Sequence, residues 1–341
     1  MRAGFFREHG GREVLQVGEL PTPTPGVGEV RVKIKAFALN HLDVWVRRGW
    51  PSLHLELPHV GGSDGAGIVE AVGPGVTELR EGDEVVLSPG WVCGRCKACM
   101  TGRENLCADF HLFGEHRAGA AAEYLVCPAR NLLPKPPSLS FEDAASVGVI
   151  FQTAWHMLVT RARLTLGETV LVHGASSGVG VAGIQIARLF GARVIAMTSS
   201  PEKAARARAL GADEVINYRE EDAKARLREL APEGVDVVFE HTGQATWALS
   251  IKALRPGGRL VTCGATTGPK AETDLRLVFW KQLDIYGSTM GTRQELSEVL
   301  RWIEAKRMIP VVDQVLPLDQ LAEGHRLIEE AAHFGKIVVR P

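Results

Sequence analysis

Residues 171–183, LVHGASSGVGVAG, restrict the fold more than any other segment of this chain. An apolar, strand-like run ends at Gly174, and Gly178, Gly180 and Gly183 follow at positions that suit the first turns of a helix. Glycine permits the tight turn and lets backbone N–H groups approach a pyrophosphate at a helix N-terminus. The spacing departs from GxGxxG by one inserted residue. Its place after a strand and before a helix makes it a dinucleotide-binding signature. The expected cofactor contacts at this turn are Gly174, Ser177, Gly178, Val179 and Gly180, with Cys263 and Gly264 expected at the end of a later strand.

The flanking sequence agrees. TVLVHGA (169–175), ARVIAMT (192–198), DEVINY (213–218), VDVVFEH (235–241) and GRLVTCG (258–264) are nearly continuous apolar runs, separated by helical stretches such as PEKAARARAL (201–210). Apolar strands alternating with helices predict a parallel sheet covered on both faces, an α/β architecture. The first 130 residues differ. EVRVKIKAFAL (29–39) alternates apolar and polar, DEVVL (83–87) is a short strand, and glycine-rich turns recur at 61–67 and 73–76, which predicts a compact β-rich unit. Pro134, Pro136 and Pro137 mark the connection, and SFEDAA opens a helix with Ser140 as its N-cap. Helices over 293–308 and 317–332 and a strand over 335–341 complete the expected elements. The 341 residues fit two domains.

Composition narrows the partners. The net charge of −1 provides no basic field for nucleic acid or anionic lipid. The N-terminus lacks the apolar core of a signal peptide. The most apolar stretch, 144–159, is interrupted by Gln152, Thr153 and His156 and predicts a buried helix rather than a membrane span. A cytoplasmic protein acting on a small molecule is expected.

Four of the six cysteines lie in WVCGRCKACMTGRENLC as Cys93, Cys96, Cys99 and Cys107. Four thiolates on a short loop complete a tetrahedral Zn²⁺ shell with no open position, so one structural zinc per chain is expected. An iron–sulfur cluster is the runner-up, disfavoured by the long second spacing and the missing Cys-Pro. Cys127 is read as a core cysteine.

Cofactor choice is read one strand after the glycines. NAD sites place a carboxylate about 20 residues on to hold the ribose 2′-hydroxyl. Here that position is Thr198, followed by Ser199, Ser200 and Lys203, with Tyr218 after the next strand. Hydroxyls and an ammonium suit a 2′-phosphate, so NADP(H) is favoured over NAD(H).

Together these features resemble the medium-chain dehydrogenase/reductase superfamily over essentially the whole chain. The cysteine lobe is similar to that of zinc alcohol dehydrogenases, and GASSGVG to the quinone-oxidoreductase branch. The resemblance implies a GroES-like catalytic domain over 1–140 with its zinc lobe near 90–110, a Rossmann domain over 141–285, and a return to the catalytic domain over 286–341. It also implies hydride transfer to or from nicotinamide, and a homodimer or homotetramer. At the positions that hold a catalytic zinc in the alcohol dehydrogenases, this chain has Asn40, Ser63 and Val149, with Asp64 beside Ser63 and no alcohol proton relay at Leu42 and Trp45. Asn40 and Asp43 match the zinc-independent quinone oxidoreductases, where a Tyr is usual in place of Trp45.

The expected catalytic residues are therefore Asn40, Asp43, Trp45, Ser63 and Asp64, with Trp50 as a second apolar wall. The favoured activity is reduction of an enone or quinone without catalytic zinc. Two rivals stand beside it. One is a zinc-dependent alcohol dehydrogenase drawing atypical ligands from His41, Asp43, His59 and Asp64. The other is a non-catalytic dinucleotide-binding sensor. His41 and His59 singly are expected in loops or at the surface, as are His111 and His116, and His173 is expected to line the cofactor crevice.

Overall fold

The computed structural model describes residues 1–341. The chain divides into two compact units, one built from Met1–Ile150 with Thr292–Pro341 and the other from Phe151–Gly291.

The second unit holds a six-stranded parallel sheet. Its spatial order is Glu214–Asn217, Arg193–Thr198, Thr169–Val172, Val235–Glu240, Leu254–Thr262 and Asp284–Gly287. The sequence order reverses at Thr169–Val172, the doubly wound arrangement whose carboxyl-end crevice binds nucleotides. The strands are buried on both faces: Val170, Leu171, Val194, Ile195, Val237 and Val238 are fully buried. That burial explains why they read as unbroken apolar runs. The helix Gly178–Leu189 follows the glycine-rich turn, with Ser177 as N-cap accepting from the Gly180 N–H at 2.9 Å.

The first unit is built on a seven-stranded sheet. Its central strand, Glu29–Ala38, pairs antiparallel with Asp64–Val72, Tyr124–Pro128 and Lys336–Arg340. Alternate residues Val30, Val32, Ile34 and Ala36 are buried. The strand Lys336–Arg340 pairs in parallel with Val312–Pro317. A smaller three-stranded sheet contains Arg2–Phe6, Gln16–Glu19 and His59–Val60. The helix His41–Arg48 contacts the helix Leu321–Glu329, and the pair is joined by the buried guanidinium of Arg47, which hydrogen-bonds His325 at 3.2 Å and pairs with Glu329.

The division falls at 150/151 and 291/292 rather than at 140/141 and 285/286. The reason is local. Ser140 caps the helix Phe141–Ala145 as expected, accepting from the Asp143 N–H, but Ala144 and Ala145 then pack against Ala36, Ala38, Ala66, Val86 and Val338 of the first unit's sheet. The stretch 144–159 is mostly buried but is not one helix: a turn at Ser146 and Val147 separates Phe141–Ala145 from Gly148–Trp155, which continues as a π-helix over His156–Arg161. No helix is long and apolar enough to cross a membrane.

Candidate functional site

Three groups of chemically active residues are assembled. The first is the cysteine lobe. The Sγ atoms of Cys93, Cys96, Cys99 and Cys107 all lie within 4.8 Å of one another. Three of the pairs measure 3.9 Å (Cys93–Cys99), 3.6 Å (Cys96–Cys99) and 3.6 Å (Cys93–Cys107). A tetrahedral shell with Zn–S bonds of about 2.3 Å requires sulfur–sulfur edges of about 3.8 Å. The four sulfurs therefore fit the ion. Backbone N–H groups of Arg95 and Cys96 pull the Cys93 thiol down to about 6, whereas burial pushes Cys99 up to about 12. Asn105 and Cys107 are buried beneath the loop, and Glu104 accepts from the Arg293 N–H at 2.7 Å.

The second group surrounds the glycine-rich turn. Gly174 has φ +51, and a Cβ there would stand 2.7 Å from the His241 ring. A Cβ on Gly180 would lie 2.3 Å from the Gly174 carbonyl oxygen. Strand end and helix start thus meet with no room for side chains. Ser177 satisfies Gly180, and the first helical N–H groups, those of Gly178 and Val179, have no intrahelical acceptor. This cradle fits a pyrophosphate.

Beneath it lies a constellation outside the sequence expectations. The fully buried carboxylate of Glu240 accepts from Thr242 N (2.6 Å), Gly243 N (3.1 Å), Thr246 Oγ1 (2.8 Å) and Ser250 Oγ (2.7 Å). Burial alone would raise this carboxyl, but its hydrogen-bond donors, among them Ser250, Gly243 and Thr246, pull it the other way and it lies below the ordinary value. Ser250 Oγ also meets His173 Nε2 at 2.9 Å. Here a sequence expectation fails: His173 does not line a crevice. It is 1% exposed, and burial keeps it neutral at physiological pH. The strand carrying it is covered on both faces, so a residue at its end points into the core.

Cofactor-edge residues are distributed as follows. Thr198 and Asn217 end neighbouring strands, and the buried atoms Thr198 Oγ1 and Asn217 Nδ2 have no hydrogen-bond partner. Ser200 is committed to capping its helix through the Lys203 N–H at 3.2 Å. Ser199 and Lys203 are partly exposed, and Tyr218 is half exposed. Cys263 and Gly264 follow directly after the strand Leu254–Thr262, and the Cys263 N–H donates to the Glu240 carbonyl at 3.2 Å.

The third group gathers most of the expected catalytic residues and adds one. Asn40 Nδ2 donates to Asp64 Oδ2 at 2.9 Å, while Lys336 Nζ donates to Asn40 Oδ1 at 2.6 Å and to Asp64 Oδ2 at 3.0 Å. Asp64 Oδ1 accepts from Val149 N at 2.6 Å, at the start of the helix Gly148–Trp155, where the helix dipole favours a carboxylate. A Cβ on Gly148 would sit 2.5 Å from that oxygen, so the close approach requires glycine. Asp64 is 0% exposed, Lys336 2% and Asn40 8%.

Asp43 supports the cluster from below, accepting from Asn40 N at 2.7 Å and Gly62 N at 2.9 Å. Burial pushes its carboxyl up to about 6 against the pull of those donors and of Lys336. Ser63 is fully buried with an unpaired hydroxyl. Trp45 is partly buried with its ring 5.0 Å from that of His41, and Trp50 packs on the cluster of Phe6, Val46 and Leu53.

Lys336 escaped the sequence reading. Its one signal is a lone ammonium heading an otherwise apolar strand, KIVV. Of the histidines, His116 lies in an exposed turn as expected, while His59 and His111 differ from expectation. His59 is buried in a short strand against the Gly114 carbonyl at 3.2 Å, and His111 and His116 form a stack with Trp91. His41, Asp43, His59 and Asp64 do not converge. The one group of three or more such side chains with metal-ligand spacing is the cysteine lobe.

The chain is similar to known oxidoreductases along its length. Residues 26–137 match the alcohol dehydrogenase GroES-like domain, and residues 178–305 match a zinc-binding dehydrogenase domain. A crotonyl-CoA reductase of Streptomyces collinus is 30% identical, the alignment covering 98% of this chain and 83% of that protein. The human quinone oxidoreductase is 29% identical over 99% and 97% of the respective chains. The crystal structure of an NAD-dependent alcohol dehydrogenase superimposes with a TM-score of 0.97 at 52% identity, covering 100% of both chains.

Proposed function

The chain belongs to the medium-chain dehydrogenase/reductase superfamily and is an NAD(P)-dependent oxidoreductase, and from that premise we propose that it reduces a small enone or quinone with NADPH while a structural zinc holds the cysteine lobe. The observation that carries this reading is the buried, donor-rich cluster of Asn40 and Lys336. Reducing an activated C=C places negative charge on the carbonyl oxygen, and preorganised donors stabilise it. When bound, NADPH supplies a hydride to the β-carbon. A proton from solvent completes the saturated ketone, so enone, NADPH and H⁺ give ketone and NADP⁺. Asn40 orients the carbonyl, the unpaired Ser63 hydroxyl is a second donor, Asp43 and Asp64 support Asn40, and Trp45 is an apolar wall.

The absence of a carboxylate at Thr198, with Ser199, Ser200 and Lys203 following, supports NADP(H). The four thiols of the lobe suit a reducing cytoplasm. The edge strand Asp284–Gly287, with exposed Phe279, Trp280 and Ile285 nearby, supports a homodimer or homotetramer.

A second reading is favoured by the name of the 52%-identical structure: NAD-dependent alcohol oxidation at a second zinc. Metal content and turnover separate the two. Dialysed protein is expected to hold one zinc per chain by elemental mass spectrometry, and to consume NADPH with enones and quinones at a higher kcat/KM than NADH. Two zincs per chain, with NAD⁺-dependent oxidation of alcohols, would establish the second reading instead.

A further inference from the structure

The amide of Asn40 is held between two groups that each act in one direction only. An ammonium only donates, and an ionised carboxylate only accepts. Lys336 Nζ at 2.6 Å therefore identifies Oδ1, and Asp64 Oδ2 at 2.9 Å identifies Nδ2. The two partners thus fix which way the amide faces. One Nδ2 hydrogen is used by Asp64. The other faces only the Ala38 carbonyl, at 3.5 Å, the outer limit of a hydrogen bond. A cation on Oδ1 also draws electron density out of the amide and makes its N–H groups stronger donors.

We propose that Lys336 is a positioning residue for the reaction: it fixes the Asn40 amide with its spare N–H available to the substrate carbonyl, and polarises that N–H. The proposal rests on the carbonyl-reduction reading above. It gives a purpose to an arrangement that stability alone does not require, since a buried ion pair is often no more stable than apolar residues of the same volume. Asp64 is the counter-charge that keeps the ammonium buried, and it is anchored independently by the Val149 N–H.

The test uses Lys336→Met, Lys336→Arg and the double variant Asp64→Asn/Lys336→Met. The last removes both charges together and leaves no lone buried ion if the single variant fails to fold. With cyclohexenone and NADPH, the Met-containing variants are expected to lose about 100-fold in kcat, the scale of one lost transition-state donor, while the Kd for NADPH stays within about twofold. Lys336→Arg is expected to regain about tenfold of that loss, because guanidinium also donates to Oδ1. Asn40→Ala and Asn40→Ala/Lys336→Met are expected to share the same kcat, since Lys336 acts through Asn40. A folded double variant with a kcat near that of the wild type overturns the proposal, and so do additive losses in the Asn40 cycle.

A second readout is independent of turnover. The chain has four Asn, so selective ¹⁵N-Asn labelling gives four side-chain amide pairs. The Asn40 pair is assigned by its loss in Asn40→Ala. Lys336→Met, or the double variant, is expected to speed its hydrogen exchange at least about tenfold, as a held amide is released. Unchanged exchange overturns the proposal. If the wild type reduces no enone or quinone, the reading of the reaction falls, and the amide exchange alone decides whether Lys336 holds Asn40.

Discussion

At Asp43, burial and hydrogen bonding pull in opposite directions. Its carboxyl, 4% exposed and pushed from 3.8 to about 6, keeps a proton in the folded chain that the unfolded chain has already released. The native state therefore binds more protons between those values. The contribution of this group to stability is fully present below the unfolded value and is lost as pH rises through 6. Asp43→Asn removes that dependence and leaves one of the two N–H donors unpaired. Urea titrations at several pH values should show the variant gaining on the wild type by about 2 kcal/mol as pH rises from 4 to 7. A constant gap over that range would show that Asp43 does not titrate there. Glu240 is the opposite case, a carboxylate with four donors and no exposure. Glu240→Ala strands those donors and is expected to cost about 3–5 kcal/mol, measured by denaturant unfolding.

At the scale of elements, the turn between Thr169–Val172 and Gly178–Leu189 carries the most specific prediction. A methyl group on Gly180 would stand 2.3 Å from the Gly174 carbonyl, so Gly180→Ala must open the turn. NADPH binding followed by fluorescence is expected to weaken about tenfold or more. Unaltered affinity would place the pyrophosphate elsewhere. In the cysteine lobe, Cys96→Ser is expected to abolish zinc retention on dialysis, because a structural zinc loop is folded by its metal.

Five of the six parallel strands were legible in the sequence because burial on both faces leaves an unbroken apolar signature. The sixth, Asp284–Gly287, was not. It is an exposed edge of four residues, DIYG, and carries no such run. The strand Leu254–Thr262 was read only from residue 258, because Pro256 and Gly257 look like a turn. The cysteine lobe was legible as chemistry, since its spacing alone dictates four sulfurs around one point. Lys336 and Glu240 were not, since each owes its role to partners that meet it only in the fold: Lys336 lies 272 residues from Asp64, and Glu240 lies 67 positions beyond His173.

For the whole molecule, the edge strand Asp284–Gly287 and the exposed Trp280 and Ile285 give an assembly prediction. Ile285→Lys adds a charge to the edge, a device that proteins use against edge pairing. Sedimentation velocity is expected to show the wild type as dimer or tetramer and the variant shifted to smaller species. A variant sedimenting identically would move the interface to another surface.

The first unit is assembled from two separated stretches of chain, and its buried Asp64 finds its counter-ion 272 residues downstream. A ribosome adding about 5–20 residues per second therefore needs roughly 15 to 50 s between making the carboxylate and making its partner. In that interval the entire second unit emerges and is free to fold, while the first unit waits with an acid it cannot yet bury. Translation that stops short of residue 336 leaves the same acid unmatched for good. A chain ending before residue 336 would lack the cation that pairs with Asp64, and such a truncated chain is expected to be cut faster than the full chain in limited proteolysis.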